Sequence, residues 1–387
     1  MLIRATRTTD QQILVINCGS SSIKFAIFTG ENLDCRTHGN VAEIGGNASL
    51  TIAGKTIEKP YSDHRVALAG IFEEIERSRL NIGALTAVVH RVVHGGPNLS
   101  KTVRITPNIE KEIERCGALA PLHNPHNLSG IRAVTQLDNE LPQFACFDTA
   151  FHQTNPEVAQ RFALPSSRET HGFRRYGFHG ISYSGLVKHI RQNVEGPLPN
   201  RLLAMHLGNG ASLCAIKEGC SVATTMGYSP LDGLTMGTRC GSIDATVVIE
   251  LAERVGIEKC KNVLNQESGL LGLGRFSDMR SLSIAGTDEA NFAIEHFCYW
   301  ATRHAGSMIA AMAGCDAIAF TGGIGENDSY VRKSIIEGLG FVGARLDFEE
   351  NQTGAERIDA TGSALPIWIV KADEERSMAR EAISAMD

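Results

Sequence analysis

The sequence predicts an α/β protein built from two related halves, and three observations carry that expectation. Short apolar runs alternate with amphipathic segments along the whole chain. Two stretches, "ILVINCGSSSIKFAI" from Ile13 and "LLAMHLGNGASLCAI" from Leu202, align without a gap. Both read as strand, polar residue, one apolar residue, glycine, small polar turn, strand. In each half a later apolar run ends in a glycine pair, Gly95-Gly96 and Gly322-Gly323. Two α/β halves that each offer a glycine-rich turn suit a ligand in a shared cleft.

The elements follow in order. "QQILVINCG" and "SIKFAIF" read as two strands joined by a turn, and "LTAVVHRVVHGG" as a buried strand. "TPNIEKEIERCGALAP" carries helix punctuation, with Thr106 as N-cap, Pro107 in the first turn and Pro121 beyond the end. "NPHNLSGIRAVTQL" repeats the device with Asn124 and Pro125, and "LPQFACFDTAFH" is a short buried strand ending at Asp148. In the second half "SIDATVVIELAERVG" predicts a helix with Ser242 as N-cap and Gly256 as its stop. "DEANFAIEHFCYWATRHAGSMIAAMAG" predicts a long apolar helix. "CDAIAFTGGIGEN" predicts a strand opening into a glycine-rich turn, with Asp328 capping the helix that follows.

Composition narrows the class. The chain has 387 residues, 43% hydrophobic and 21% charged, as expected of a globular protein with large cores. A net charge of -6 disfavours a nucleic-acid surface. "MLIRATRTTDQQ" has no apolar core of a signal peptide, and the most apolar stretch, "SMIAAMAGCDAIAF", is short and holds Asp316, so no membrane span is expected. The ten cysteines are scattered without a C-x-x-C pair, which reads as reduced cytoplasmic thiols.

Candidate chemistry gathers at the turns. Gly19, Ser20, Ser21 and Ser22 expose backbone N–H groups and hydroxyls at close range, which suits a phosphate, and Lys24 can add charge. Alone this turn reads more readily as an ordinary hairpin with a snorkelling lysine. The turn His206, Gly208, Asn209, Gly210 has the same character, and "TGGIGEN" makes a third. Three such turns on two similar halves favour a nucleotide. Arg91, inside an apolar run, and Arg239, between small residues, suit either a structural ion pair or a bidentate clamp on an anion. Asp148 ends a strand, and His179 sits between an aromatic residue and a glycine. Glu374 opens a helix, either as a favourable N-terminal charge or as a Mg²⁺ ligand.

At this point a family resemblance covers nearly the whole chain. "VINCGSSSIKF", "VVHRVVHGG", "LAPLHNPHN", "FDTAFH", "YGFHG", "HLGNGAS", "MGTRCGSID", "TGGIGEN" and "ADEE" occur in the order of the acetate kinases. The resemblance implies two duplicated domains of the actin, sugar-kinase and chaperone-ATPase type, ribonuclease H-like, with the active site in the cleft between them. It implies an N-terminal α/β domain at 1–150, joined by a C-terminal helix at 375–387, and a C-terminal nucleotide-binding α/β domain at 151–374. The implied reaction is reversible transfer of a phosphoryl group from ATP to acetate, giving acetyl phosphate and ADP. It takes Mg²⁺, with Mn²⁺ able to substitute, in a cytoplasmic homodimer with neither nucleic-acid nor membrane partners.

Carried over motif by motif, the resemblance assigns Asn17, Ser20, Ser22 and Lys24 to the phosphate side, with Asn17 and Glu374 holding the metal. Arg91, Asp148, His179 and Arg239 surround the transferred group. His206, Gly208, Asn209 and Gly210 contact phosphates. Asp278, Met279 and Arg280, with Gly323, Ile324, Gly325, Glu326 and Asn327, hold the nucleoside. Val93, Leu122, Phe178 and Pro230, with Arg91, form the acyl site. The family's Thr-Arg-Ser-Gly-Asp block reads Thr238-Arg239-Cys240-Gly241-Ser242 here, so one carboxylate is missing. The proline after the next aspartate is Ala245, and Thr-Asn before the final glutamates is Ala372-Asp373.

The chemistry agrees with such a site. A carboxylate nucleophile is ionised at neutral pH, with a pKa near that of Glu at about 4.3, and needs no general base. It must instead meet an anionic phosphoryl group, a repulsion of about 4 kcal/mol at 4 Å and an effective dielectric of 20. Asp148 therefore reads as an orienting residue and His179 as a donor. Rival readings are a propionate kinase on the same scaffold, a more distant butyrate kinase, a sugar kinase using Asp148 as base, and a chaperone-like ATPase. The last would carry a substrate-binding domain after Glu374, for which no sequence remains.

Overall fold

The computed structural model describes residues 11–78 and 82–386. The chain divides into two compact units, Met1–Ala150 with Asp373–Asp387, and Phe151–Ala372.

The first unit is organised on one sheet. Its strands are β1 (Gln12–Cys18), β2 (Ile23–Thr29), β3 (Asp34–Ala42), β4 (Ser49–Ile52), β5 (Lys55–Glu58), β6 (Ala87–Val92), β7 (Val103–Arg104) and β8 (Gln143–Phe147). They lie in the order β5-β4-β3-β2-β1-β6-β8-β7. β1, β2 and β3 form an antiparallel meander, while β6 and β8 continue the sheet parallel to β1. Helices His64–Arg77 and Asn124–Leu137 bury Leu68, Ile71, Ile75 and Val134 against Leu14, Ile16, Phe25 and Ile27 on one face. The closing helix Glu374–Met386 packs on the other side of β1, β2, β6 and β8.

The second unit repeats the plan. β9 (Arg201–Leu207), β10 (Ala211–Lys217), β11 (Cys220–Thr224), β12 (Ala317–Thr321) and β13 (Ile367–Ile369) run in the order β11-β10-β9-β12-β13. Again a three-stranded meander is extended by two parallel strands. β1 and β9 even share one burial sequence: four buried residues, a half-buried polar residue (Asn17 or His206), then one buried residue. The alignment of the two hairpins is therefore a match of side-chain environment as well as of residue type.

Helix ends follow local chemistry with two corrections. Thr106 caps its helix through Ile109 N, and Asp328 caps Ser329–Gly338 through Val331 N. Ser242 is not the cap of its helix. The helix runs Ala245–Val255, Asp244 accepts from Thr246 N, and Gly256 ends it. A carboxylate nearer the helix start takes the capping role from the serine. The stretch after β12 is also not a turn. Gly322, at φ +79°, leads at once into a short helix, Gly322–Asn327. Arg332, 1% exposed, donates to Gly325 O at 2.9 Å, Asn351 Oδ1 at 2.7 Å and Asn351 O at 2.7 Å, and so fixes that short helix from below.

Candidate active site

In each unit the polar residues collect at the C-terminal ends of the parallel strands, where α/β sheets bind ligands. In the first unit these ends belong to β1, β6 and β8. Asn17 on β1 stands opposite Lys24 on β2, so their side chains share a face. The turn between them is closed by Gly19 N donating to Ser22 O at 2.8 Å, with Ser20 exposed and Ser22 half-buried. Asn127 fastens two strand ends at once: its Nδ2 donates to Cys18 O at 2.8 Å and its Oδ1 accepts from Val93 N at 3.1 Å. Val93 is buried by this arrangement, whereas Leu122 is 47% exposed.

Arg91 and Asp148 form a bidentate pair. Nε donates to Oδ1 at 3.0 Å and Nη2 to Oδ2 at 2.6 Å. Asp148 is 1% exposed, held by its own N–H to Val92 O at 3.2 Å. Burial acts to depress the Arg91 guanidinium, but Asp148, then Glu374, outweigh it and the pKa is raised. Arg91 therefore keeps its charge, and the pair leaves Nη1 outside the two bonds. Glu374, first residue of the closing helix, is half-buried. Burial raises its carboxyl above the usual range, and Asp148 adds to the rise while Arg91 and Lys24 oppose it. Neither the Glu374 carboxylate nor the Asn17 amide makes a side-chain hydrogen bond among the described residues of this unit.

In the second unit the strand ends of β9 and β12 carry the glycine segments. Gly208 N donates to Gly210 O at 3.1 Å, and Gly237 N to the exposed Asn209's carbonyl at 2.9 Å. His179, at φ +59°, precedes the helix Gly180–Asn193. Its ring stacks on His206, with centroids 4.1 Å apart and planes 26° apart. Arg239 donates through Nη1 to Pro230 O at 2.5 Å, fixing both. A Cβ on Gly210 would stand 2.7 Å from Arg239 Nη2 and 3.3 Å from His179 Nε2. Glycine is thus what lets a guanidinium and an imidazole converge on this turn. Phe178 is 1% exposed, its carbonyl taken by His152 Nε2 at 2.9 Å.

Several nucleoside-side residues are structurally employed. Asp278 caps the helix Met279–Ala285 by accepting from Ser281 N at 2.8 Å, Met279 is buried, and Arg280 is exposed. Glu326 accepts from Gly322 N and from Ala372 N, each at 2.9 Å, so its carboxylate braces backbone. Asn327 Nδ2 donates to Gly323 O at 2.8 Å; Gly323 is exposed, Ile324 half-buried and Gly325 buried. At the family's missing carboxylate, Ser242 Oγ donates to Asp232 Oδ1 at 3.0 Å, and Asp232 pairs with Arg175 at 2.8 Å. A neighbouring aspartate thus supplies charge beside the loop that carries Arg239.

Sequence reasoning missed Asn127, Ser182, Ser212 and Tyr183. Ser212 Oγ lies 2.8 Å from His179 Nδ1 and 2.6 Å from Tyr183 Oη, and Ser182 Oγ lies 2.9 Å from His206 Nδ1. A signal existed for the last three. Ser182 and Tyr183 stand three and four residues after His179, on one helix face, and Ser212 is the cross-strand partner of His206.

Comparison with known proteins gives the family. The acetokinase family profile matches residues 12–380. The chain belongs to the acetokinase family. Membership makes it a phosphotransferase with a carboxyl group as acceptor. The acetate kinase of Carboxydothermus hydrogenoformans is 41% identical, covering 96% of this chain and 98% of that protein. Among solved structures, a propionate kinase from Francisella tularensis matches with TM-score 0.91 and 35% identity, covering 96% of this chain and 98% of that one. The Porphyromonas gingivalis acetate kinase matches with TM-score 0.89 and 34% identity, covering 97% and 100%. Among the described residues no helix is long and apolar enough to cross a membrane.

Proposed function

We propose that this acetokinase transfers a phosphoryl group between ATP and acetate by direct in-line attack. The observation that carries the reading is the approach of Arg239 and His179 to Gly210, two donors at a glycine turn where charge develops. No proton needs to be removed from an ionised carboxylate, so donors rather than a base are what the reaction requires. Arg91, oriented by Asp148, neutralises the acyl carboxylate. Arg239 and His179 take the equatorial oxygens as charge spreads over them. His206, Gly208, Asn209 and Gly210 bind the nucleotide phosphates, and Ser20, Ser22 and Lys24 also contact phosphate oxygens. Gly323 to Asn327 and Asp278 to Arg280 border the nucleoside, and Val93, Leu122, Phe178 and Pro230 border the acyl methyl.

The donor set fits a hard divalent cation. The Asn17 amide oxygen and the Glu374 carboxylate are oxygen ligands left over by the fold, and Mg²⁺ takes one or two carboxylates besides phosphate oxygens. Bound there, Mg²⁺ supplies Lewis-acid charge to phosphate oxygens. We extend the reading to a cytoplasmic homodimer. The dimer is supported by the helix Ala245–Val255, which buries none of its residues and leaves Val247 and Ile249 exposed between exposed Ile243 and Ile257.

The test mixes protein, Mg-ATP and a panel of acetate, propionate, butyrate and glycerol, trapping acyl phosphate with hydroxylamine. Hydroxamate from acetate at the highest kcat/KM is the expected result. Preference for propionate, favoured by the Francisella tularensis neighbour, would move the assignment within the family. ADP release independent of every carboxylate would overturn it.

A further inference from the structure

His179 can donate to a phosphoryl oxygen through Nε2 only if that nitrogen carries the proton. We propose that Tyr183 and Ser212 are positioning residues that hold His179 in its Nε2–H tautomer. The inference rests on the phosphoryl-donor role of His179 given above.

The proposal follows from counting protons. Tyr183 Oη, Ser212 Oγ and His179 Nδ1 form a chain with two gaps, 2.6 Å and 2.8 Å. Both hydroxyls are fully buried, Tyr183 and Ser212 each at 0% exposure. Two hydroxyl protons fill two gaps when Nδ1 is bare: Tyr183 donates to Ser212, and Ser212 donates to Nδ1. A proton on Nδ1 puts three protons into two gaps and leaves one buried hydroxyl hydrogen without an acceptor among the described residues. Such an unsatisfied buried donor is disfavoured. One further fact sets the direction at Tyr183. Burial keeps that phenol protonated, raising it well above its ordinary range, so Tyr183 is a permanent donor.

The geometry turns the other edge of the ring toward chemistry. His179 Nε2 faces Gly210, beside Arg239 Nη2, while His206 Nε2 faces Gly322, whose Cβ would lie 3.2 Å away. Stacking at 4.1 Å also opposes charging both rings, so a neutral donor beside a cationic Arg239 is the arrangement the pocket favours. Tyr183 and Ser212 then act without touching substrate: they select which nitrogen meets it.

Two readouts test this in the full-length enzyme. Long-range ¹H–¹⁵N spectra of ¹⁵N-histidine-labelled protein report the tautomer without reference to activity. His179 is assigned from His179→Gln. The expected spectrum shows Nδ1 as the bare nitrogen and Nε2 as protonated. Ser212→Ala should mix the tautomers and lower kcat about 10- to 100-fold, less than the 10²–10³ of deleting a donor outright. KM for ATP and acetate should stay within about twofold, since ground-state contacts remain. Tyr183→Phe should have a smaller effect, because Ser212 still donates to Nδ1, and Ser212→Thr should restore most of kcat. A wild-type spectrum with Nδ1 protonated overturns the proposal. So does a Ser212→Ala enzyme with unchanged tautomer and kcat. If the tautomer is as expected but no carboxylate yields acyl phosphate, the functional assignment fails and the relay stands.

Discussion

The two hairpins, β1–β2 and β9–β10, share strand pairing, the burial order of their first strand and a glycine after the same buried position, yet carry opposite chemistry. In the first the half-buried polar residue is Asn17, the turn is serine, and Lys24 follows. In the second it is His206, the turn is Gly-Asn-Gly, and the position matching Lys24 is buried Leu213. The first is an oxygen-rich surface with a buried ion pair behind it. The second is a narrow turn onto which large donor side chains fold from Gly177–His179 and Thr238–Arg239. A duplicated scaffold fixes where a ligand can sit. The residue at one turn position decides whether the turn's own hydroxyls or distant donor side chains reach it. Ser21 and Gly210 occupy the same place in the two hairpins, and only at Gly210 would a Cβ meet a guanidinium.

The largest expected break of that contrast is Arg239→Ala. Loss of a donor to the developing charge should lower kcat by about 10³, roughly 4 kcal/mol, with ATP affinity changed by less than about threefold. Steady-state kinetics with nucleotide binding by calorimetry measures both. Retention of kcat would mean that the second hairpin does not direct Arg239 at the reaction.

Next comes the matched pair Gly210→Ala and Ser21→Ala. The added methyl at Gly210 must displace Arg239 Nη2, 2.7 Å away, so kcat should fall about 10- to 100-fold by misplacement of a catalytic group. Ser21→Ala should stay within about twofold. Equal effects would erase the distinction between the hairpins.

Glu374→Gln sharpens the comparison from the first unit. Its carboxyl is raised in the fold, so the native state binds more protons than the unfolded chain between the unfolded and folded pKa values. That contribution to stability is present at low pH and is lost as pH rises. The metal-free variant should therefore melt higher than wild type at neutral pH, while half-saturating Mg²⁺ rises by at least about tenfold. In the wild type the Mg²⁺ requirement should grow as pH falls, because protons compete for the same carboxylate. Calorimetric melting and Mg²⁺ titrations at several pH values decide it.

The smallest effect belongs to Asp278→Ala, which removes an N-cap and should cost about 1 kcal/mol of stability. In the proposed site the Met279–Ala285 helix borders the nucleoside, so KM for ATP should rise less than about fivefold. A far larger KM change with no loss in melting temperature would give Asp278 a direct nucleoside contact in place of its cap.

Much of the scaffold was legible because it rests on local chemistry. Strand runs, the Thr106 and Asp328 caps and the hairpin alignment need only neighbouring residues. Side-chain employment was less legible. Glu326 reads as a ligand residue beside glycines, but its carboxylate serves Gly322 N and Ala372 N, the latter far along the chain. In the sequence Arg91 suits an ion pair and a clamp alike. It forms the ion pair, and the bidentate geometry leaves one nitrogen for the second role. Ser212 was invisible as a partner of His179 because a strand position and a pre-helix loop meet only after folding. Ser242 failed as a cap since Asp244 sits closer to the exposed N–H groups.

Arg332 has a consequence for engineering. Its guanidinium is sunk among neutral oxygens, and one of its anchors, Asn351, belongs to the short helix Phe348–Thr353. Transplanting the short helix Gly322–Asn327 into another scaffold would strand the Gly325 carbonyl oxygen unless the graft carried both residues along. The smallest portable cassette therefore extends to residue 351, with the arginine as its keystone.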